Sequence, residues 1–224
     1  MTESTPSPPS GGPPPTPDGY AEPYLFEYSA LMLLFLAVPM FALSAGAFGW
    51  ILLTIQGPEV FATVFTVTEL EDGTAFALDV IGAGVPFLIA FGVVAVVHEL
   101  IHGAVMRYFG KEVTYGVNPA MGAFYTSAFG QFQARKELLP IGAAPLVVIT
   151  LVATPLLAVP VPAVALTAYL VLVFNVTGAV GDLYVLWRLR RMPPKTLMYD
   201  ADLRHWYVFE PLDVGTPGER TNNA

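Results

Sequence analysis

The sequence has no cysteine, and it has no lysine or arginine before Arg107. The first absence excludes disulfides and leaves any metal site to nitrogen and oxygen ligands. The second, together with a net charge of −8, excludes a nucleic-acid surface, which needs clustered basic residues. Charge is scarce altogether: 12% of the residues are charged and 54% are apolar. A soluble domain of 224 residues cannot hide that much apolar surface, because a small fold leaves much of its area in water. The chain therefore reads as an integral membrane protein of one domain with appendages. The acidic balance of its polar parts suits a high-salt organism.

What is present is a set of long apolar runs. Residues 1–23 are rich in Pro, Ser, Thr and Gly and read as a disordered tail. They do not read as a signal peptide, since no basic stretch leads into an apolar core. Four segments follow, each long enough to cross a hydrocarbon core of about 30 Å. They run from about Ser29 to Ile55, Val80 to Phe109, Leu138 to Val159 and Ala163 to Leu189. Pro39 is placed to kink the first, and Pro160 and Pro162 make a tight turn between the last two. The expected fold class is an all-α membrane protein of about four transmembrane helices, with short β-hairpin or re-entrant loops. Its domains are the tail, a transmembrane domain over 24–195 and a C-terminal tail over 196–224.

Two loops carry strand signals. "TVFTVTEL" and "TAFAL" flank Glu71-Asp72-Gly73, which predicts a hairpin between the first two helices. The 110–137 loop is apolar, broken by glycines and too short to span, which predicts a hairpin or re-entrant loop. In the last tail, "HWYVFEP" predicts one short strand. Arg107, Lys111, Arg135, Lys136, Arg188, Arg190, Arg191 and Lys195 flank the second loop and follow the fourth helix. The first loop has no basic residue. The positive-inside rule then puts the 110–137 loop and both termini in the cytoplasm, in a multi-pass protein of the cell membrane.

The chemistry sits at the end of the second helix, in "FGVVAVVHELIHGAVMRYFG". His98-Glu99-Leu100-Ile101-His102 is an H-E-x-x-H motif. Residues i and i+4 share a helix face, so both imidazoles reach one metal ion, and Glu99 beside them can take a proton from water. Ionisable side chains are costly in a membrane helix, which makes an accidental motif here rarer still. Zinc suits two histidines, one carboxylate and an open position.

Depth points to the third ligand. The second and fourth helices cross in the same direction. His102 lies five residues before Arg107, about 7–8 Å along a helix. Asp182 lies six residues before Arg188, about 9 Å from the same interface. The one acidic residue inside the fourth helix is therefore level with the histidines, as a ligand or as an interfacial partner of Arg188 or Arg190. Asn175, two turns earlier on that face, either holds substrate backbone or an oxyanion, or bonds to another helix. Gly178 and Gly181 predict close approach of the fourth helix to the second. Phe124-Tyr125-Thr126 form an apolar strand that could pair with a substrate segment or pack within its own hairpin, which makes Tyr125 a candidate substrate contact.

With these residues in hand, the chain resembles the membrane-embedded zincin peptidases and, in outline, the site-2-type intramembrane metalloproteases. The resemblance rests on "HELIHG", "AFYTS", "AAPLVVIT", "NVTGAVGDLYVLW" and "YVFEP". It implies His98 and His102 as zinc ligands, Glu99 as general base and acid, and Asp182 as third ligand. Site-2 proteases have Asn, Pro and then Asp-Gly, whereas here Gly178 and Gly181-Asp182 follow Asn175. Ala144-Pro145 stands in the place of their Gly-Pro. The implied activity is zinc-dependent hydrolysis of a membrane-protein or peptide substrate, in or next to the bilayer and with no nucleic-acid partner. The alternatives are a non-catalytic membrane protein with a structural or sensory metal and a metal-ion carrier. Glu99 separates them, because a structural site has no use for an unliganded carboxylate and a carrier usually has more polar helices.

Overall fold

The computed structural model describes residues 12–118, 123–203 and 205–212. Helix α1 (Ala30–Gln56) begins at Ser29, whose hydroxyl accepts the Met32 N–H, and stops at Gly57, where φ is 76°. A non-glycine residue rarely adopts that left-handed conformation. Helix α2 (Val80–Tyr108) is capped by Asp79, which accepts the Ile81 and Gly82 N–H groups. Helix α3 (Arg135–Ala153) tightens into a 3-10 turn over Thr154–Ala158, and α4 (Pro162–Gly178) starts on a proline. A proline's missing N–H costs nothing in a first helical turn. Helix α5 (Val180–Arg191) completes the set.

Helices α1, α2 and α3 with its 3-10 turn are each long and apolar enough to cross a membrane, and α4 with α5 makes a fourth candidate span. That last span is not the unbroken helix expected from Ala163 to Leu189. It bends by 42° at Ala179. There the Thr177 hydroxyl donates to Val173 O at 2.7 Å, and glycines at 178 and 181 offer little resistance to a bend. Helix α4 is the central post. It packs against α1, α2 and α3 through a core that includes Leu52, Ala90, Ile149, Ala165, Ala168 and Leu172. Its alanines let neighbouring backbones come close. Outward-facing residues such as Phe35 and Trp50, both 70% exposed, and Ile81, 76% exposed, are apolar, as lipid contact requires.

The loops hold more strand than expected, so the fold is mostly helical rather than all-α. Strands β2 (Phe65–Leu70) and β3 (Gly73–Leu78) form the predicted hairpin between α1 and α2. Between α2 and α3 lie β4 (Thr114–Asn118) and β5 (Ala123–Ser127), a second hairpin, and then β6 (Phe132–Ala134). The C-terminal segment gives β7 (Leu197–Asp200) as well as the expected β8 (Trp206–Phe209). With β1 (Tyr24–Leu25) these build an antiparallel sheet in the order β1-β8-β7-β6. Tyr20 also bridges Pro211, so the segment read as a structureless tail up to residue 23 is taken up by the sheet over its last residues. Residues 1–11 and 213–224 of the two tails lie outside the described residues.

One sheet thus gathers the N-terminal segment, the α2–α3 loop and the C-terminal segment at one end of the helices. Helix parity requires that of a four-span chain. Basic residues fasten the same end. Lys111 pairs with Glu137 at 2.9 Å, and Arg135 donates to Leu189 O and Arg190 O, satisfying terminal carbonyls of α5.

Asp200 is the costly residue of this sheet. It is buried on β7 and accepts a hydrogen bond from Ser127 at the end of β5. Burial pushes its carboxyl up to about 6, against the hydrogen bonds from the Ser127 and Trp206 side chains, which lower it. The folded state therefore holds this proton more tightly than the unfolded chain. Stability should fall as pH rises from about 4 to about 6 and then level off. Asp200→Asn should flatten that part of the profile, measured by thermal unfolding in detergent across this range. An unchanged slope would contradict the assignment.

Candidate metal centre

His98 and His102 lie one turn apart on α2, buried, with ring centroids 4.8 Å apart. The first turn of α5, just past the bend at Ala179, lies beside them. Asp182, in that turn, places Oδ2 at 3.0 Å from His98 Nε2 and Oδ1 at 3.4 Å from His102 Nε2. A carboxylate is favoured there by the exposed N–H groups of a helix start. The metal-binding atoms of His98, Glu99 and His102 all lie within 4.8 Å of one another.

The hydrogen bonds around His102 show what this arrangement needs. Its Nδ1 lies 2.9 Å from Ile141 O. A carbonyl only accepts, so Nδ1 carries the hydrogen and the neutral ring keeps a bare lone pair on Nε2. That lone pair faces the oxygen of Asp182. Two electron pairs face to face repel, so the pair needs a cation between them, either a proton or a metal ion. The donor set (two imidazole Nε2 atoms, an Asp carboxylate and a nearby Glu) fits zinc.

The Ile141 carbonyl is available because of Pro145. Proline has no N–H, so the carbonyl four residues earlier in α3 loses its helical partner. His102 takes the vacancy. Pro145 is itself among the fully buried side chains. Such an outer hydrogen bond fixes the tautomer and direction of a ligating histidine. The sequence carried this signal in Pro145, four residues after Ile141.

Glu99 sits between two cavities. One, of about 220 Å³, is lined by His98, Glu99, His102, Asp182, Gly178, Gly181, Tyr184 and Val185, with Tyr28 and Leu33 from the N-terminal side. The other is a groove of about 250 Å³ between α2 and the β4–β5 hairpin, lined by Glu99, Leu100, Tyr115, Val117, Phe124 and Tyr125 among others. The hairpin is fixed to α2 at two places. Thr126 donates to Glu99 O at 2.8 Å, and the Tyr115 phenol lies so close over Gly103 that a Cβ there would collide with it. Gly103 after the motif thus serves hairpin docking.

Asn175 takes the second of its two expected roles, and the two glycines differ from expectation. Asn175 does not line either cavity: its amide donates to Leu146 O and Thr150 Oγ1, both at 3.3 Å, and bridges α4 to α3. The seven-residue spacing to Asp182 keeps a common face only in a straight helix, and the bend lies between them. Gly178 and Gly181 do not serve close packing either, because an added Cβ at each would meet nothing within 4 Å. They line the metal cavity and keep it open. Tyr125 lines the Glu99 groove and packs its ring over Gly116 within its own hairpin. His205, outside the site, pairs with Asp202 at 2.8 Å. Tyr28 and Tyr184 also line the cavity, and no motif or spacing singles them out.

A helix-borne H-E-x-x-H joined by a carboxylate from a second helix is the donor arrangement of a zincin-type centre. Residues 91–197 match the model of the family described as "Putative zincin peptidase", so this part of the chain is similar to that family. The matched span contains His98, Glu99, His102 and Asp182 and leaves out α1 and the strand before it. No curated protein and no solved structure matches the chain.

Asp182→Asn should weaken zinc binding strongly, and Pro145→Ala should weaken it by about 10-fold or more through His102. Isothermal titration on detergent-purified protein measures both. Wild-type affinity in both variants would contradict the ligand set.

Proposed function

We propose that the protein is a zinc-dependent peptidase acting within the membrane or at its surface. The observation that carries the reading is the Asp182 carboxylate set against both histidine Nε2 atoms, with Glu99 beside them. In this reading His98, His102 and Asp182 hold the ion. The apolar helices around the site, the family match over 91–197 and the open cavity beside Glu99 all support it.

When bound there, zinc supplies Lewis acidity, polarising a scissile carbonyl and lowering the pKa of a coordinated water toward neutrality. Glu99 takes a proton from the attacking water and delivers it to the leaving amine. Its backbone is held by Thr126, so the carboxylate works from a fixed point. His102 keeps its lone pair on Nε2 through the bond to Ile141. Gly178 and Gly181 leave the cavity wide enough for a peptide backbone, which a side chain at either position would narrow. The β4–β5 groove, with Tyr125 and Phe124, takes substrate side chains next to Glu99.

A structural metal or a transit site has no need of Glu99. Glu99→Gln should therefore keep zinc and lose hydrolysis by about 100-fold or more, the usual worth of a general acid–base group. The assay is cleavage of peptide and membrane-anchored reporters by purified protein in lipid discs. Equal cleavage by the variant would overturn the role of Glu99. A zinc-loaded wild-type protein that cuts nothing would favour the structural reading.

A further inference from the structure

The metal cavity is bounded by more than the matched family segment. Tyr28, which precedes α1, lines it, and so does Tyr184 of α5. The same two tyrosines line a second, outer cleft of about 590 Å³. That cleft is framed by Phe26, Glu27 and Ser29 on one side and by Leu203 and Trp206 of the β7–β8 region on the other. The two rings, in edge contact at 6.4 Å, are thus a wall between the ion-binding cavity and a polar cleft at the sheet end.

The two leaves of this wall differ. Tyr184 is fixed: its hydroxyl accepts a hydrogen bond from Arg188 at 2.9 Å. Tyr28 has no hydrogen-bond partner among the described residues, and it is 55% exposed. Its neighbours on both sides are pinned. Phe26 is buried in a core with Leu138, Leu189 and Val208 and donates its N–H to Trp206 O at 2.7 Å. Ser29 caps α1. Tyr28 can therefore swing by side-chain rotation alone, and exposed side chains change rotamer in picoseconds to nanoseconds.

A second route to the cavity is less favoured. A groove of about 410 Å³ between α1 and α5, lined by Met32, Leu36, Met40, Leu183 and Trp187, also ends at Tyr184. Its lining is apolar except for the Tyr184 hydroxyl and the Trp187 indole N–H, and it meets the cavity at the fixed leaf. A peptide backbone entering there would leave its N–H and C=O groups unpaired in apolar surroundings, which is costly.

We propose that Tyr28 is the gate of the site, and that the substrate is an extended, water-exposed peptide segment arriving through the outer cleft rather than a transmembrane helix arriving from the bilayer. The inference rests on the zinc-peptidase reading. The segment would pass from the cleft over the ion-binding cavity to the β4–β5 groove, since Glu99 is common to the cavity and the groove. Its residues toward the groove would be apolar, to match Leu100, Val117 and Phe124. Selection would fall on chain that is unfolded next to the membrane.

Because the chain has no cysteine, a single introduced thiol can be modified cleanly. The experiment is zinc release from loaded protein in lipid discs to external EDTA. Tyr28→Ala should speed release several-fold at unchanged zinc capacity. A bulky thiol adduct on Leu203→Cys, in the cleft, should slow release several-fold, and the same adduct on Leu36→Cys, in the lipid-side groove, should not. The opposite pattern, or no effect of Tyr28→Ala, overturns the gate. In a second arm, soluble extended peptides should be cut in a Glu99-dependent way and faster by Tyr28→Ala. Glu99-dependent cleavage confined to a transmembrane reporter overturns the substrate class while leaving the peptidase reading intact. Failure of the wild-type protein to hold zinc defeats that underlying reading instead.

Discussion

One carboxylate organises this molecule. Asp182 places one oxygen against each of two histidine Nε2 atoms, among largely apolar helix faces. An ionised side chain in such surroundings costs about 2.5–3.5 kcal/mol or more unless it is compensated. Here compensation comes from the start of α5, from the two imidazoles and from the cation that the pairing of His102 with Asp182 demands. The carboxylate stands in the first turn after the bend at Ala179.

The surrounding features follow from aiming these few groups. Pro145 leaves the Ile141 carbonyl free, and that carbonyl orients His102. Gly103 clears a space for Tyr115, which seats the β4–β5 hairpin on α2, while Thr126 fixes the hairpin beside Glu99. Arg135 caps α5 from the start of α3 and so holds the far end of the helix that carries Asp182. None of these contacts is strong by itself, since a typical net hydrogen bond is worth about 1 kcal/mol. Their effect is to reduce the freedom of His102, Glu99 and Asp182, which is what a preorganised centre needs.

Much of this was legible in the residues, and the remainder failed for identifiable reasons. The H-E-x-x-H spacing depends only on helix geometry, so His98, Glu99 and His102 could be placed together at once. Asp182 could be found by counting residues to the basic boundary, because depth survives a bend of modest angle. Facing direction does not survive it: the seven-residue spacing could not choose between the two roles open to Asn175, and the two glycines were given the wrong neighbours. The β2–β3 hairpin announced itself through alternation about a tight turn. The strands β1, β6 and β7 did not, because each is two to four residues long and its partners lie far away in the chain. Tyr28 was invisible for the same reason: only the sheet brings the segment before α1 to the mouth of the site.

The claim on which everything else depends is that Asp182, from a different helix, shares one metal ion with His98 and His102. X-ray absorption spectroscopy of the zinc-loaded protein tests it most directly. The account predicts two imidazole nitrogens and at least one carboxylate oxygen at about 2.0–2.2 Å, with the imidazole signal lost in the double variant His98→Ala, His102→Ala. An all-oxygen shell, or an unchanged spectrum in Asp182→Asn, would contradict it.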